Sequence, residues 1–288
     1  MKEIAVLSGK GGTGKTTLLA SLAALNPEAI LADCDVDAPN LHLLVAGETM
    51  EEGEFSASSL PSIDLAECTR CRVCTEACRF GAIHLDDLVK GPHIDPLSCE
   101  GCLLCWRLCP AQAISISERT SGRWRVSKTA GGIMFHAMLE PAEGNSGKLV
   151  SLLKRKARAH AADSGSSLLL VDGPPGIGCA AIAALSGVDM AILVAESTRS
   201  SLTDLERVVR LCHQMDVLPA VVINRWDLSP FLTGAIEEWT HQNKVALLGR
   251  IPFDDSVYQC ASAGKVVSES SPAGKAISQI WKRAEALL

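Results

Sequence analysis

The chain has 288 residues, of which 47% are hydrophobic and 21% are charged, as in an ordinary globular protein. Its net charge of −6 argues against a protein that coats nucleic acid, because that function requires a broad basic face. The first residues have no signal-peptide pattern and no apolar run is long enough to cross a membrane, so we expect a cytoplasmic protein.

Short apolar runs alternate with helical segments along most of the chain. The runs cover residues 4–7, 29–32, 168–171, 190–195, 220–223 and 245–251, and a helical segment follows the first of them at 15–25. Such runs are typical of strands buried on both faces, so the pattern predicts an α/β fold with a mostly parallel sheet flanked by helices. Residues 120–140 are predicted to be a β-rich return to that sheet.

Cysteines interrupt this pattern. The chain has 12 cysteines, and eight of them are crowded between residues 68 and 109, which in a reducing compartment indicates metal ligands. The segment is a repeat: Cys68, Cys71, Cys74 and Cys78 recur with identical spacing as Cys99, Cys102, Cys105 and Cys109, and Ile63, Asp64 and Ile83 recur in the same register as Ile94, Asp95 and Ile114. We therefore expect a duplicated α+β domain at 60–115, inserted into a domain made of 1–59 and 116–288.

The stretch LSGKGGTGKTT, residues 7–17, matches the phosphate-loop pattern G-x-x-x-x-G-K-[ST]. Its glycines let backbone N–H groups close around phosphate, Lys15 offers charge to the β- and γ-phosphates, and Thr16 can bind Mg²⁺. A strand before the loop and a helix after it distinguish this match from a chance glycine-rich turn. The expected ATP ligands in the loop are Gly9, Gly11, Gly12, Thr13, Gly14, Lys15, Thr16 and Thr17.

A second lysine, Lys10, makes the loop more specific. The segment GKGGTGKTT resembles the deviant phosphate loop of the MinD/ParA/Mrp and nitrogenase iron-protein ATPases, which are P-loop NTPases of the SIMIBI type. The resemblance covers about residues 1–45 and 165–265. It implies an ATP-dependent dimer, either a homodimer or a heterodimer with a paralogue, in which Lys10 reaches the nucleotide of the partner subunit.

The resemblance also implies the catalytic residues. The stretch LADCDVDAPNLHLL matches the switch I region, in which Asp35 orients the attacking water. The implied catalytic set is therefore Lys10, Lys15 and Asp35. Asp37 is an additional carboxylate, which we interpret as a helix cap or a solvated turn residue.

Further nucleotide ligands follow from the same resemblance. The stretch LLLVDGPPGIGC matches switch II, in which Asp172 would bind Mg²⁺ through water. Asn224, in VVINRWD, would hydrogen-bond adenine, and Pro252 and Asp254 would flank the base.

Each cysteine run has the spacing C-x2-C-x2-C-x3-C, and two such runs are typical of bacterial two-cluster ferredoxins, in which the fourth cysteine of each run serves the other cluster. The expected ligands are Cys68, Cys71, Cys74 and Cys109 for one 4Fe–4S cluster and Cys99, Cys102, Cys105 and Cys78 for the other. Zinc is the competing interpretation, but zinc sites usually pair two C-x2-C hooks across a longer gap. Pro110 follows Cys109 as in ferredoxins, whereas Arg79 follows Cys78, so the second cluster has altered surroundings.

Together these features resemble a MinD-superfamily subgroup with a ferredoxin domain inserted after switch I. The stretches DCDVDAPNLHL, GNSGKLV and DGPPGIGC are similar to signatures of that subgroup. The glycine-rich stretch at 144–147 is interpreted either as a helix cap or as a nucleotide contact. The C-terminal stretch AISQIWKRAEALL has an apolar face and few positive charges, which favours a core helix over a membrane anchor.

Cys179 lies in the switch II stretch after Asp172, at a spacing similar to that of a cluster-binding cysteine in the nitrogenase iron protein. That site needs a second cysteine from each subunit, and residues 110–170 offer no clear counterpart. We therefore interpret Cys179 as a small buried cysteine. The remaining cysteines, which are expected in the core, are Cys34, Cys212 and Cys260.

Three functions are compatible with these features. The first is an ATPase whose two clusters couple nucleotide state to electron transfer or redox sensing during maturation of iron–sulfur or other metal-cluster proteins, with a metalloprotein or redox protein as client. The second is a MinD/ParA-like positioning or partition ATPase with structural or regulatory clusters. The third is a module that holds ATP as a structural ligand, against which Asp35 and Thr16 argue.

Overall fold

The computed structural model describes residues 1–85, 91–141 and 143–288, with the backbone alone at Ser58. The chain forms two compact units. The first unit contains Met1–Gly53, Trp124–Met138 and Ser146–Leu288, and the second contains Glu54–Arg123 and Leu139–Asn145. The insertion predicted at 60–115 lies within the second unit.

Strands and helices alternate through most of the first unit, and the elements of both units are numbered together in chain order. The strands are β1 (Lys2–Ser8), β2 (Ile30–Asp33), β3 (Gly47–Ile63), β4 (Ile83–His84), β5 (His93–Ile94), β6 (Ile114–Thr129), β7 (Gly132–Leu139), β8 (Leu168–Pro175), β9 (Met190–Glu196), β10 (Leu218–Asn224) and β11 (Ala246–Ile251). The helices are α1 (Lys15–Leu25), α2 (Leu41–Leu44), α3 (Val73–Ala77), α4 (Leu104–Leu108), α5 (Ser146–Ser164), α6 (Cys179–Leu185), α7 (Arg199–Gln214), α8 (Pro230–Gln242), α9 (Asp255–Ser262) and α10 (Pro272–Glu285).

The main sheet confirms the predicted α/β fold. Within the described residues, nine strands form this sheet in the order β11-β10-β9-β1-β8-β2-β7-β6-β3. Every pairing from β11 to β7 is parallel. Each predicted apolar run falls in this parallel part, and α1, α5, α6 and α7 pack against it, which explains why the strands are apolar along their whole length.

An apolar cluster joins α1 and α10 to the sheet. On α1 it includes Leu18 and Leu22, and on α10 it includes Ile277, Ile280 and Trp281. The C-terminal segment is therefore a core helix in this structure. No helix in the described part of the chain is both long and apolar enough to span a bilayer.

A network of ion pairs connects Lys154 and Arg158 of α5 to Glu3 near the start of β1. The Nζ of Lys154 lies 2.7 Å from Oε1 of Glu3, and each side chain is at most 4% exposed. The same Nζ donates a 2.8 Å hydrogen bond to the backbone oxygen of Ser186. Arg158 donates from Nε to the other carboxylate oxygen of Glu3, at 2.8 Å. Pairing is what allows these charges to be buried.

Replacing Lys154 by alanine is expected to lower the free energy of unfolding by about 3 kcal/mol, because it removes one of the two counter-ions of a buried carboxylate. Replacing Arg158 by alanine should cost less, since that side chain is 39% exposed and water screens its pairing. Denaturant titration of both variants measures the difference. An equal loss of unfolding free energy in the two variants would contradict the expectation that the buried Lys154 contributes more than the partly exposed Arg158.

The second unit repeats its backbone conformation as well as its cysteines. Helices α3 and α4 begin at equivalent positions of the repeat, Val73 and Leu104. Positive φ angles also recur at equivalent positions, with 57° at Arg70 and 63° at Gly101, and with 67° at Arg72 and 60° at Leu103. Both cysteine loops therefore bend in the same way before entering a single-turn helix.

The two halves of the second unit also bond to each other reciprocally. The N–H of Asp64 donates to the oxygen of Ala113, and the N–H of Asp95 donates to the oxygen of Ala82, both at 2.8 Å. Asp64 and Asp95 are equivalent in the repeat, and so are Ala82 and Ala113. Such exchange of equivalent bonds is the arrangement expected when two copies of one unit face each other.

Candidate functional site

The phosphate loop lies between β1 and α1, at the carboxyl end of the parallel strands, where α/β sheets bind ligands. Gly9 has no space for a side chain, because an added Cβ would lie 2.2 Å from the Cβ of Asp204. Gly14 has a φ of 93°, and an added Cβ would lie 2.5 Å from Nδ2 of Asn224. Glycine at these two positions lets the loop backbone approach α7 and the end of β10 closely.

The loop lysine faces the predicted switch I. Lys15 is buried, and its Nζ lies 4.0 Å from Oδ2 of Asp35. Burial raises the pKa of Asp35, and the charge of Lys15 opposes that rise. Asp33 is fully buried and accepts hydrogen bonds from the N–H groups of Asp35 and Leu41, at 3.2 and 3.1 Å. Asp33 therefore fixes the turn that carries Asp35, while Asp37 is exposed in the same turn.

Asp172 is a fully buried carboxylate in β8. Within the part of the chain that the structure describes, its oxygens have no partner at full hydrogen-bond geometry, although the hydroxyl of Thr16 is near enough to act on them. Burial raises its pKa to about 6, with the nearby charge of Lys15 and the hydroxyl of Thr16 acting in the opposite direction. Carboxylate and hydroxyl oxygens are ligands that suit Mg²⁺. Asp172 and Thr16 therefore fit the predicted magnesium ion.

Binding of Mg²⁺ with ADP is expected to weaken as the pH falls below about 6, because Asp172 has a pKa of about 6 and must then lose a proton to meet the cation. The apparent affinity should fall by about tenfold per pH unit in that range. The folded pKa lies above the unfolded value of about 3.9, so the metal-free chain loses stability as the pH rises through this window and Mg²⁺ offsets the loss.

Titration calorimetry with Mg²⁺ and ADP at a series of pH values measures this dependence. Asp172→Asn should make the dependence shallower, leaving the part that the terminal phosphate of ADP contributes, since that phosphate titrates at about pH 6. Asp37→Asn is the matched control, because Asp37 is an exposed carboxylate near the same site. An affinity that stays constant from about pH 5 to about pH 7 would overturn the role of Asp172.

A cavity of about 190 Å³ adjoins the loop beside the ends of β10 and β11. Asn224, Pro252 and Asp254, which were predicted to surround adenine, are among its lining residues. Asn224 donates from Nδ2 to the oxygen of Thr13 at 2.8 Å and accepts from the N–H of Arg225 at 3.0 Å. Its amide therefore holds the phosphate loop in this structure, and a base would have to share or replace those bonds.

Asp254 also has a structural role that the sequence did not predict. Its carboxylate caps α9 by accepting from the N–H of Ser256 at 2.9 Å, and it accepts from the N–H of Ala273 at 3.1 Å. The side chain of Ser256, followed by the N–H groups of Ala273 and Ser256, lowers the pKa of Asp254. Asp254 thus fixes the wall of the cavity, next to the half-buried Pro252.

Lys10 is held within its own chain. Its Nζ lies 3.2 Å from Oε2 of Glu196 and donates a 3.2 Å hydrogen bond to the hydroxyl of Thr198. Arg225 donates from Nη1 to the other oxygen of Glu196, at 2.7 Å. Glu196 was not among the predicted site residues. Its position at the carboxyl end of the buried strand β9 was the available signal.

A second and much smaller cavity, of about 20 Å³, lies in the second unit. It is lined by four of the predicted cluster ligands, which are Cys68, Cys71, Cys74 and Cys109. Three of these come from the first cysteine run and one from the second. The grouping is the one that the crossed ligand pattern of a two-cluster ferredoxin predicts.

The third cysteine of each run, Cys74 or Cys105, has a thiol with a raised pKa. Burial raises the pKa of Cys74 and of Cys105. The thiols of Cys99 and Cys102 raise the pKa of Cys105 further. These cysteines are therefore neutral thiols without metal, and metal binding must displace their protons.

Among residues 1–85, 91–141 and 143–288, no group of three or more His, Cys, Asp or Glu side chains is arranged to hold a single metal ion. An iron–sulfur cluster does not require that arrangement, because each of its cysteines binds a different iron atom. The relevant feature for a cluster is a cavity with thiols around its wall, and the cavity of the second unit has that form.

Cys179 is exposed, so its interpretation as a small buried cysteine is wrong. It begins α6, and Gly147 of α5 lies so close that an added Cβ would be 3.3 Å from the Cβ of Cys179. The lack of a side chain at Gly147 therefore allows α5 to pack closely against the start of α6. Cys34 and Cys212 are buried as expected, and burial raises the pKa of Cys212 to about 12. Cys260 is half-buried.

Residues 4–267 match the family model described as the CobQ/CobB/MinD/ParA nucleotide binding domain. The chain belongs to this family. The match includes both segments that resemble MinD and ParA ATPases in the sequence, so that part of the resemblance is confirmed. Nucleotide binding is the property that this family model describes.

Two proteins of Methanocaldococcus jannaschii are similar to the chain over most of its length. The uncharacterised protein MJ0578 is 36% identical over 226 residues, which cover 77% of this chain and 78% of the relative. The uncharacterised protein MJ0579 is 25% identical over 273 residues, which cover 92% of this chain and 91% of the relative.

Two solved structures share the fold. The cell division ATPase MinD of Pyrococcus furiosus has a TM-score of 0.60 and 19% identity, with 100% of this chain and 99% of that chain covered. The septum site-determining protein MinD of Pyrococcus horikoshii, solved with Mg-ADP, has a TM-score of 0.62 and 17% identity, with 99% and 96% covered. At these identities the likeness concerns the fold.

Proposed function

We propose that this protein is a cytoplasmic ATPase that dimerises on binding ATP and Mg²⁺ through its first unit. We further propose that its second unit holds two 4Fe–4S clusters, which link nucleotide state to electron transfer or redox sensing during maturation of other metal-cluster proteins. Membership of the nucleotide-binding family supports the first part. The cavity lined by Cys68, Cys71, Cys74 and Cys109 is the observation that carries the second part.

In the proposed ATPase reaction, the phosphate loop cradles the phosphates and Lys15 neutralises their charge. Asp35, which lies 4.0 Å from Lys15, orients the water that attacks the terminal phosphate. Thr16 and Asp172 would hold Mg²⁺, which supplies charge stabilisation when bound. Lys10 leaves Glu196 and contacts the nucleotide of the partner subunit, so hydrolysis depends on dimerisation.

In the proposed second unit, the cysteines bind their clusters across the two halves. Cys109 closes the site formed by the first run, and Cys78 closes the site formed by Cys99, Cys102 and Cys105. Clusters with four protein thiolates each are held firmly, which suits electron transfer better than donation to a client. The client would therefore be a metalloprotein or redox protein that receives or supplies electrons.

The comparisons favour a second candidate function. The two solved structures that share the fold are named as a cell division ATPase and as a septum site-determining protein. By that analogy the chain would be a positioning or partition ATPase, and any clusters would be structural or regulatory. This candidate needs the same nucleotide site and the same dimer, so the nucleotide chemistry does not discriminate between the two functions.

Anaerobic purification followed by iron and sulfide analysis, and then by ATPase assays, tests both candidates. The main proposal expects about eight iron atoms per chain and an ATPase rate that changes when dithionite reduces the clusters. The positioning candidate expects a rate that ignores dithionite and rises on a lipid, nucleic-acid or protein surface. ATP turnover by a preparation that never acquires iron would overturn the cluster proposal alone.

The partner in the dimer is either a second copy or a paralogue. MJ0578 and MJ0579 belong to one organism, and both are similar to this chain, so related chains of this kind coexist in one organism. Light scattering of the pure chain with a non-hydrolysable ATP analogue tests the homodimer. A chain that stays monomeric alone and dimerises only with its paralogue would support the heterodimer.

A further inference from the structure

Glu196 holds two cations at the carboxyl end of β9. Its Oε2 lies 3.2 Å from the Nζ of Lys10, and its Oε1 accepts a hydrogen bond from Nη1 of Arg225 at 2.7 Å. The Glu196 side chain is 15% exposed, whereas those of Lys10 and Arg225 are 34% and 43% exposed. The carboxylate is therefore the least hydrated of the three charges, and it gains most from keeping a partner.

The other group that holds Lys10 also has a second partner. The hydroxyl of Thr198 accepts from the Nζ of Lys10 at 3.2 Å and lies 2.9 Å from the hydroxyl of Ser201. If Lys10 moves away, Thr198 keeps Ser201 and Glu196 keeps Arg225. Neither acceptor is then left without a partner, which is the arrangement expected of a contact that must open during the working cycle.

The backbone of Arg225 is fixed beside Glu196. Its N–H donates to Oδ1 of Asn224 at 3.0 Å, and its carbonyl oxygen accepts from the hydroxyl of Ser197 at 3.1 Å. Ser197 directly follows Glu196 in the chain, so Arg225 is tied to the same strand end as the carboxylate that it binds. Lys10, by contrast, belongs to the phosphate loop. Arg225 is thus the cation that is placed to stay with Glu196.

We propose that Arg225 is a positioning residue for ATP-dependent dimerisation, which keeps the carboxylate of Glu196 paired when Lys10 leaves for the partner subunit. The inference rests on the proposed function, because it requires Lys10 to reach the nucleotide of the partner. Its physical reason is that a poorly hydrated carboxylate left without a cation is costly. A second positive charge on the same carboxylate also weakens its hold on Lys10 through mutual repulsion of the two cations.

Analytical ultracentrifugation with a saturating non-hydrolysable ATP analogue gives the readout. Arg225→Gln should raise the dissociation constant of the dimer by about twofold to fivefold, because Glu196 then holds Lys10 more firmly, and partial exposure limits the size of the effect. Arg225→Lys retains the charge and should stay close to the wild-type value. Arg210→Gln is the matched control, since Arg210 pairs with Glu206 at 3.4 Å on the exposed face of α7 and should change nothing.

A double-mutant cycle separates positioning from direct contact. In a Glu196→Gln chain there is no carboxylate to keep paired, so adding Arg225→Gln should leave the dissociation constant of the dimer unchanged. Arg225 also lines the candidate nucleotide cavity, so the affinity of the single chain for the analogue is measured alongside and should stay at the wild-type value. An equal weakening of the dimer in both backgrounds, or a weakening that follows lost analogue affinity, would overturn the inference.

The outcomes separate the inference from the function on which it rests. A Lys10→Ala chain that dimerises like the wild type defeats the proposed role of Lys10, and the inference with it. Loss of the dimer in Lys10→Ala, together with wild-type or tighter dimerisation of Arg225→Gln, defeats the inference alone. If Arg225→Gln does not fold, Arg225→Met removes the same charge from a side chain of similar reach, and the same comparison in both backgrounds decides.

Discussion

Replacing Lys10 by alanine is expected to abolish ATP-dependent dimerisation while leaving ATP binding by the single chain intact. In the proposed site, Lys15 neutralises the phosphates of the nucleotide bound to its own chain, and it is buried beside Asp35. Lys10 is not part of that arrangement, because its Nζ pairs with Glu196 and Thr198 on the adjacent strand end and helix start. Its proposed target is the nucleotide of the partner subunit.

Analytical ultracentrifugation with a non-hydrolysable ATP analogue measures this effect. Lys15→Ala is the matched control, since it should lose nucleotide binding and dimerisation together. Lys10→Ala should lose dimerisation alone. A Lys10→Ala chain that dimerises at the wild-type concentration would show that the second lysine of the loop has another role.

The ion pair with Glu196 makes a companion test possible. Lys10 must leave Glu196 before it can reach another subunit, so Glu196→Gln should favour the dimer. The Lys10 side chain is 34% exposed, and partly exposed pairs contribute less than about 1 kcal/mol, so dimerisation should become easier by up to about fivefold. Weaker dimerisation of Glu196→Gln would instead indicate that Glu196 itself is part of the interface.

The parallel part of the fold could be predicted from the sequence because its strands are buried on both faces. A strand such as β9 must be apolar at nearly every position, and the run at 190–195 shows this directly. The long strands β3 and β6 carry many exposed polar residues, and no continuous apolar run reveals them. β3 ends at Ile63 and its partner β6 begins at Ile114, so local patterns cannot find that pairing. The end of β6 and the whole of β7 follow each other directly within the stretch 120–140, which was predicted to be β-rich.

The parts of the candidate site that could be predicted are those in which the ligand requires particular residue types at a fixed spacing along the chain. The phosphate loop and the eight crowded cysteines are of this kind. The roles that were missed depend on contacts between distant segments. Asp33 holds the turn before Leu41, and Asn224 holds the phosphate loop through Thr13. The exposure of Cys179 likewise depends on how α6 packs, which its apolar neighbours in sequence concealed.

Replacing Cys109 by alanine is expected to remove the cluster of the first run, although Cys109 belongs to the second. The reason is that Cys68, Cys71, Cys74 and Cys109 line the same cavity. The single variant should retain about four of about eight irons. Cys260→Ala is the matched control, because Cys260 is half-buried in the first unit and should leave the iron content unchanged.

Double variants decide between crossed and uncrossed ligation. If Cys68 and Cys109 bind the same cluster, removing both should cost about four irons, as does removing either one. Removing Cys68 and Cys78 together should then cost all of about eight, because each belongs to a different cluster. Ligation within each run predicts the reverse, with the larger loss in the Cys68 and Cys109 pair. Iron analysis of these two variants therefore tests whether the halves of the second unit, which exchange equivalent backbone bonds, also exchange a cysteine.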